Sequence, residues 1–364
     1  MLLEFFDGYA RNYAPYKGGN WCYEDGLVYR GLELLHLATG DERWLRHLKR
    51  LLDRQILAGP KLSGYVLSEY NIDNIRPGCA LLYLHAVTGD PKYLAAAHVL
   101  ADQLTTHPRT RSGVYWHKLR YPWQIWLDGL YMAAPFQIAY AHVTGKQELI
   151  EDSLGQVATA LSQTYVAETG LYAHGVDEAR QQAWADADTG LSRAHWSRAL
   201  GWLAMCLVDI AELVGPEAFS PLEERTSGLL RRIAELRQPG GLWLQVIDAP
   251  GQPGNYVESS ASAMFVYALE RGASLGLVDL ETRDLVSVLT GKVMERGKEG
   301  RLQMTGICEV AGLGGFDGRY RDGTAEYYLS EPVVADDAKG VGPLMMCIAL
   351  ATAARPAQEL VTAT

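Results

Sequence analysis

Two aspartates stand where carboxyl chemistry is useful. Asp128 opens an apolar segment in PWQIWLDGLYM, and Asp73 precedes another in EYNIDNIRPG. Each has an ordinary structural reading. Asp128 suits a helix N-cap, and Asp73 suits an Asx-turn just outside a helix that Pro77 and Gly78 begin. Each also has a chemical reading. Trp123 and Trp126 flank Asp128, and an indole wall raises a carboxyl pKa toward that of a general acid. Asp73 would then be a second carboxyl facing it, and two opposed carboxyls are the usual equipment for cleaving glycosides.

Other polar and aromatic residues gather around the same segments. His117 lies in VYWHKLRYPW and His174 in GLYAHGVDE, both in long connections beside Tyr and Trp. Neither sits in an HExxH pattern, and no cluster has metal-ligand spacing, so no metal is expected. Arg198 and Trp202 are one helical turn apart in HWSRALGW and share a face. An arginine entering a nearly uncharged helix needs a partner, and a substrate carboxylate fits its fork. The segment GLGGFDG lacks a preceding Val/Ile-rich strand and has the wrong glycine spacing for a dinucleotide. No cofactor is expected.

The elements that must position these residues repeat. Apolar, small-residue helices, tight turns and charged helices recur in GLVYRGLELLHLATGDERWLRHLKRLL, PGCALLYLHAVTGDPKYLAAAHVLADQL and DGLYMAAPFQIAYAHVTGKQELIEDSL. Fainter copies begin at Arg198, Ser259 and Asp337. The first helix of each pair is apolar nearly all round and reads as inner; the second is amphipathic and reads as outer. MLLEFFDGYARNY is expected to supply the sixth outer helix. Six pairs over 364 residues give about 61 residues per unit, room for two helices and their connections. The sequence therefore predicts an all-α fold, an (α/α)6 barrel of six helical hairpins, with 1–364 as one domain. An open solenoid competes, but would expose both helices of each pair. The long connections, roughly 58–76, 106–127, 165–196, 239–257 and 298–336, all precede inner helices. One end of the barrel is thus elaborated, and a cleft is expected there. Helix N-termini converging on it favour an anion.

Composition narrows the ligand. With 33 basic and 43 acidic residues the net charge is −10, which disfavours nucleic acid. Five scattered cysteines form no CxxC pair and signal no disulfide framework. The N-terminus lacks a secretory pattern, and no apolar run of about 20 residues is evident, so a cytoplasmic protein without a membrane partner is expected. Tyr and Trp (20 and 9) outnumber Phe (6), and polar-tipped rings suit wet clefts.

The segments EYNIDNIRPG, WHKLRYPWQIWLDGLYMAAPF, HWSRALGW, ESSASAMFVYAL and YYLSEPVVADDAKGVGP carry a resemblance. From about Trp21 to Gly342 the chain is similar to the unsaturated rhamnogalacturonyl hydrolases, relatives of the unsaturated glucuronyl hydrolases. The resemblance implies the same barrel. It also implies an acidic oligosaccharide substrate ending in a 4,5-unsaturated uronic acid, the product of a polysaccharide lyase. In that family an Asp protonates C4 of the vinyl ether and water adds at C5. The hemiketal opens and the neighbouring sugar leaves. Asp128 matches the general acid/base and Asp73 the second aspartate. His117, His174, Trp126, Arg198, Trp202 and Tyr23 match substrate-site positions. Rhamnose is the commonest neighbouring sugar. A monomer or weak homo-oligomer is expected. Two other readings stay open: a sugar 2-epimerase using His117 and His174 as acid and base, and an inactive carbohydrate-binding protein on the same fold.

Overall fold

The computed structural model describes residues 1–353. Its helices are α1 (Leu2–Asn12), α2 (Tyr23–Thr39), α3 (Glu42–Gln55), α4 (Gly78–Thr88), α5 (Pro91–Thr106), α6 (Leu127–Thr144), α7 (Glu148–Thr164), α8 (Ser197–Glu235), α9 (Ser259–Ser274), α10 (Leu285–Val293), α11 (Ala325–Leu329) and α12 (Ala338–Ala353). The inner ring runs α2, α4, α6, α8, α9, α12 and closes with α12 packed on α2. The outer helices α3, α5, α7 and α10, with the second half of α8, back this ring. The N-terminal helix α1 packs on α3 and supplies the sixth outer member. This is the (α/α)6 barrel, and its closure excludes the open solenoid.

Local chemistry explains the hairpins. Gly40, Gly89 and Gly145 end α2, α4 and α6 in the left-handed conformation, with φ of 65°, 69° and 74°. Only glycine adopts it without cost, and its N–H satisfies a terminal helix carbonyl. In the two TGD copies the next residue caps the outer helix. Asp41 accepts from Arg43 N and Asp90 from Lys92 N. Outer helix α3 then buries Trp44, Leu48, Leu51, Leu52 and Gln55 along one stripe, whereas α6 is buried almost continuously from Leu130 to Ile138.

Two expectations need correction. The fourth hairpin has no separate turn. Its helices run together as α8, broken only at Gly215, whose φ of 77° and ψ of 168° are non-helical. By length and composition α8 passes as a membrane-crossing helix, so an apolar run of spanning length does exist. Its apolar half is nevertheless the inner helix between α6 and α9. Beyond those expectations, the long connections contain local sheet structure. They hold five antiparallel two-stranded ribbons. Gln124–Trp126 pairs with Gly175–Asp177, placing Trp126 opposite Gly175. Ile307–Cys308 pairs with Val333–Val334, and Gly314–Phe316 with Arg319–Arg321. The elaborated end is therefore a framework of hydrogen-bonded loops.

Candidate active site

The inner helices present their first residues to one end of the barrel. Tyr23 is the first residue of α2. Asp128, Arg198, Ser260 and Lys339 are the second residues of α6, α8, α9 and α12.

Asp128 is not the cap of its helix. Trp126 holds the N-cap position, without a side-chain bond. The Asp128 side chain is 14% exposed, and its buried Oδ2 has no hydrogen-bond partner. A buried polar atom without a protein partner is uncommon, and this one lies at the opening of an inner helix. His174 Nε2 lies 3.1 Å from that oxygen, misaligned for a hydrogen bond. Behind it, His174 Nδ1 meets the Tyr328 hydroxyl at 2.7 Å. His174 is completely buried among Trp126, Trp196 and Tyr328. Its backbone carbonyl accepts from Leu127 N at 2.9 Å, so the ribbon that pairs Trp126 with Gly175 also brings His174 to Asp128.

Asp73 lies in the short turn Ile72–Ile75, where Asn71 Oδ1 accepts from its N–H. Burial works to raise its carboxyl pKa. The Lys118 ammonium, 2.6 Å from Oδ2, outweighs burial and holds the pKa below the usual value. His117 Nε2 stands 3.8 Å from the other oxygen. The His117 ring stacks on Trp126 at 4.1 Å, and Trp126 donates from Nε1 to Gln124 Oε1. Burial drives the His117 pKa down to about 3, although the charges of Asp73 and Asp128 oppose this. The imidazole is therefore neutral at neutral pH, with a buried Nδ1 that has no partner. Of the two expected indoles, Trp126 reaches this cluster, whereas Trp123 packs on Trp116 at 5.0 Å and beneath Arg111.

Arg198, Trp202 and Tyr23 form another part of the site. Trp202 stacks on Tyr131 at 5.5 Å and meets Tyr23 edge-on at 6.0 Å. Beneath Tyr131, the Arg76 guanidinium donates to its hydroxyl at 2.6 Å and lies over its ring. Arg198 is 1% exposed. It donates to Ser260 Oγ at 3.0 Å and to the Cys308 carbonyl at 2.5 Å, and it lies over the Trp196 ring. These acceptors are neutral, and the buried Nε of Arg198 has no hydrogen-bond partner among the described residues. Glu258 braces the same corner. Its carboxylate accepts from Ser260 N, Ala261 N and Cys308 N.

Lys118 and Trp196 were not singled out in the sequence, and Tyr328 stood out only as one of the many polar-tipped rings expected at the elaborated end. Lys118 lies ten residues before Asp128 in a segment already marked by His117, so its position beside Asp73 had a weak signal. Tyr328 of α11 and Trp196 at the N-cap of α8 both reach His174, and nothing local announces those contacts.

A family model described as glycosyl hydrolase family 88 matches residues 10–353. The chain belongs to glycosyl hydrolase family 88. That membership makes it a glycosidase and decides against the epimerase and inert-binder readings. Among solved structures, a glycoside hydrolase from family 105 of C. acetobutylicum superposes with a TM-score of 0.86 at 35% identity, covering 91% of this chain and 93% of that one. Protein Atu3128 of Agrobacterium fabrum is 52% identical over 227 residues, 60% of this chain and 97% of that protein. The unsaturated rhamnogalacturonyl hydrolase YesR of Bacillus subtilis is 29% identical over 264 residues, 70% of this chain and 72% of YesR. The family 88 match thus spans both aspartates and every other candidate residue named above.

Proposed function

We propose that the chain removes a 4,5-unsaturated uronic acid from the non-reducing end of lyase-generated acidic oligosaccharides, with the unsaturated rhamnogalacturonan disaccharide as its substrate. The observation that carries the reading is Asp128. Its buried, unpartnered oxygen sits at the barrel end, backed by His174 and Tyr328. No protein donor uses that oxygen, so it is free to face the substrate. The similarity to YesR supports rhamnogalacturonan as the source.

In this reading Asp128 donates a proton to C4 of the vinyl ether. Positive charge develops at C5 and the ring oxygen, and water adds at C5 and returns a proton to Asp128. The hemiketal then opens to a ketone, and the hemiacetal left at C1 releases the neighbouring sugar. Each turnover consumes one water. Asp73, kept ionised by Lys118, orients the sugar hydroxyls. Lys118 is only partly buried and presents its ammonium to the substrate carboxylate. Trp202 and Tyr23, packed edge-on at the inner-helix openings, offer an apolar ring and a hydroxyl, the combination that suits a sugar. His117, neutral and unpartnered at Nδ1, is a hydrogen-bonding group rather than a charge.

The conjugated C=C–COO⁻ of the substrate absorbs in the ultraviolet, and hydration destroys it. Incubation with lyase-treated rhamnogalacturonan is expected to bleach that absorbance. Persistent absorbance across pectic, ulvan and glycosaminoglycan digests overturns the proposal. Bleaching of another digest but not this one moves the substrate and leaves the chemistry.

A further inference from the structure

The last long loop carries a cleft that the proposed chemistry does not use. The hairpin formed by Gly314–Phe316 and Arg319–Arg321 turns through Asp317 and Gly318, with φ of 48° and 74°. A cleft of about 570 Å³ lies against it, lined by Arg120 and residues 315–320. Phe316 is 44% exposed and Tyr320 46%. The two rings are held in place by the hairpin and leave their faces open to solvent.

The hairpin is fixed at its base. Arg321 is buried and donates to the carbonyls of Leu313 and Gly314 and to the Tyr121 hydroxyl. Tyr320 accepts from Trp184 N through its hydroxyl. Tyr121 stacks on Trp126 at 5.0 Å, and Trp126 stacks on His117. A continuous run of rings thus leads from the hairpin to the candidate active site. Arg120 sits at the outer end of this run, 5.1 Å from the Tyr121 ring centre and 5.0 Å from that of Phe316. It is exposed, and among the described residues it makes no ion pair. The other cation of the cleft, Arg319, is held by Glu331 and Ser330. One carboxylate, Asp317, also lines the cleft.

A guanidinium held between two rings, unclaimed by any protein carboxylate in a chain of net charge −10, is suited to a planar anion attached to an apolar face. A uronic acid residue has both features: a carboxylate for the fork and ring C–H groups for Phe316. We infer that Arg120, Phe316 and Tyr320 form an accessory subsite for a second acidic sugar, further along the oligosaccharide whose unsaturated end occupies the pocket. The inference rests on the proposed function for its kinetics but not for its binding.

The test compares a defined unsaturated disaccharide with a tetrasaccharide that contains a second uronate. The wild type is expected to show higher kcat/KM on the tetrasaccharide. Arg120→Gln and Phe316→Ala are expected to lose about two- to fivefold of that advantage, the scale of one exposed contact, with disaccharide turnover unchanged. Asp317→Asn is expected to shift the preference the opposite way, since it removes a like charge. Equal losses on both substrates, or none on either, overturn the subsite. Failure of the wild type to cleave either substrate defeats the proposed function instead. Calorimetric titration with a saturated oligogalacturonate then reads the cleft without turnover. Binding that Arg120→Gln weakens supports the subsite, and no binding by the wild type overturns it.

Discussion

At the scale of single residues, Asp128 and His117 differ in what pH and substitution do to them. Asp128→Asn keeps the shape of the side chain and removes the proton it would deliver. It is expected to fold normally by circular dichroism and to lose activity by about 10²–10⁴-fold, the share general acid catalysis supplies. Full activity in the variant reassigns the acid. Substituting His117 or His174 with Ala is expected to leave more activity than Asp128→Asn does, the reverse of what an epimerase would show. His117 makes a separate prediction about stability. Its pKa is about 3 in the fold, against the ordinary histidine value of 6.5 once the chain unfolds. Between those values the unfolded chain binds a proton that the folded chain refuses, so stability falls as pH falls through that window. His107, lowered to about 4 by burial, acts in the same direction. Asp73, held below its ordinary value, loses its contribution only under still more acid conditions. Urea midpoints from pH 7 to pH 4 should therefore decline, and His117→Gln should decline less steeply whatever its starting stability. An equal slope would mean that His117 is not buried neutral. The aspartates were legible in the sequence because they stand at or just before the openings of inner helices, and the histidines because they lie in long connections among Tyr and Trp. The counterparts that set their state were not. Lys118 reaches Asp73 across 45 positions and Tyr328 reaches His174 across 154. Such pairings follow from the closed ring and not from local spacing.

At the scale of elements, the hairpins were legible because each ends on chemistry that only certain residues perform. Glycine at the left-handed position and aspartate at the next cap define the TGD turns. The third copy shows the limit: with Lys146 in place of Asp, Gln147 stands at the start of α7 and makes no side-chain cap. The loop ribbons were not legible, since strands of two or three residues carry too little alternation to register. The expected ring closes where α2 packs on α12, and glycines set how closely the two helices approach. A Cβ on Gly342 would stand 2.8 Å from the Leu27 backbone, and one on Gly31 would stand 2.7 Å from Met345 Cβ. Glycine to alanine within a helix ordinarily gains about 1 kcal/mol. At Gly342 the obstacle is backbone, which cannot step aside as a flexible side chain can, so the sign reverses. Gly342→Ala is expected to cost about 1–3 kcal/mol, seen as a lower denaturation midpoint with an unchanged m-value. A stabilised variant would show that the two helices have room to part.

At the scale of the whole molecule, closure decides how damage spreads. In an open solenoid each repeat touches only its neighbours, and a weakened terminal repeat frays alone. Here the first and last inner helices are packed together, and the N-terminal helix backs the ring through Phe6 and Ala10, both fully buried. Tyr13 from the same region donates to Asp25 of α2, and the Tyr9 hydroxyl donates to the carbonyl of Asp336, just before α12. The N-terminal segment therefore binds the two ends of the chain into one unit. Phe6→Ala empties a site with little freedom to collapse and is expected to cost about 3–5 kcal/mol. Because the ring has no free end, the loss should not stay local. Hydrogen exchange is expected to speed up in α6 and α9, on the inner ring away from Phe6, by factors that match the global loss, as well as in α1 and α3. Faster exchange confined to α1 and α3 would show instead that the ring tolerates an open seam. In that case the inner-helix openings bearing Tyr23 and Lys339 on the two sides of that seam would not be held in fixed register with Asp128.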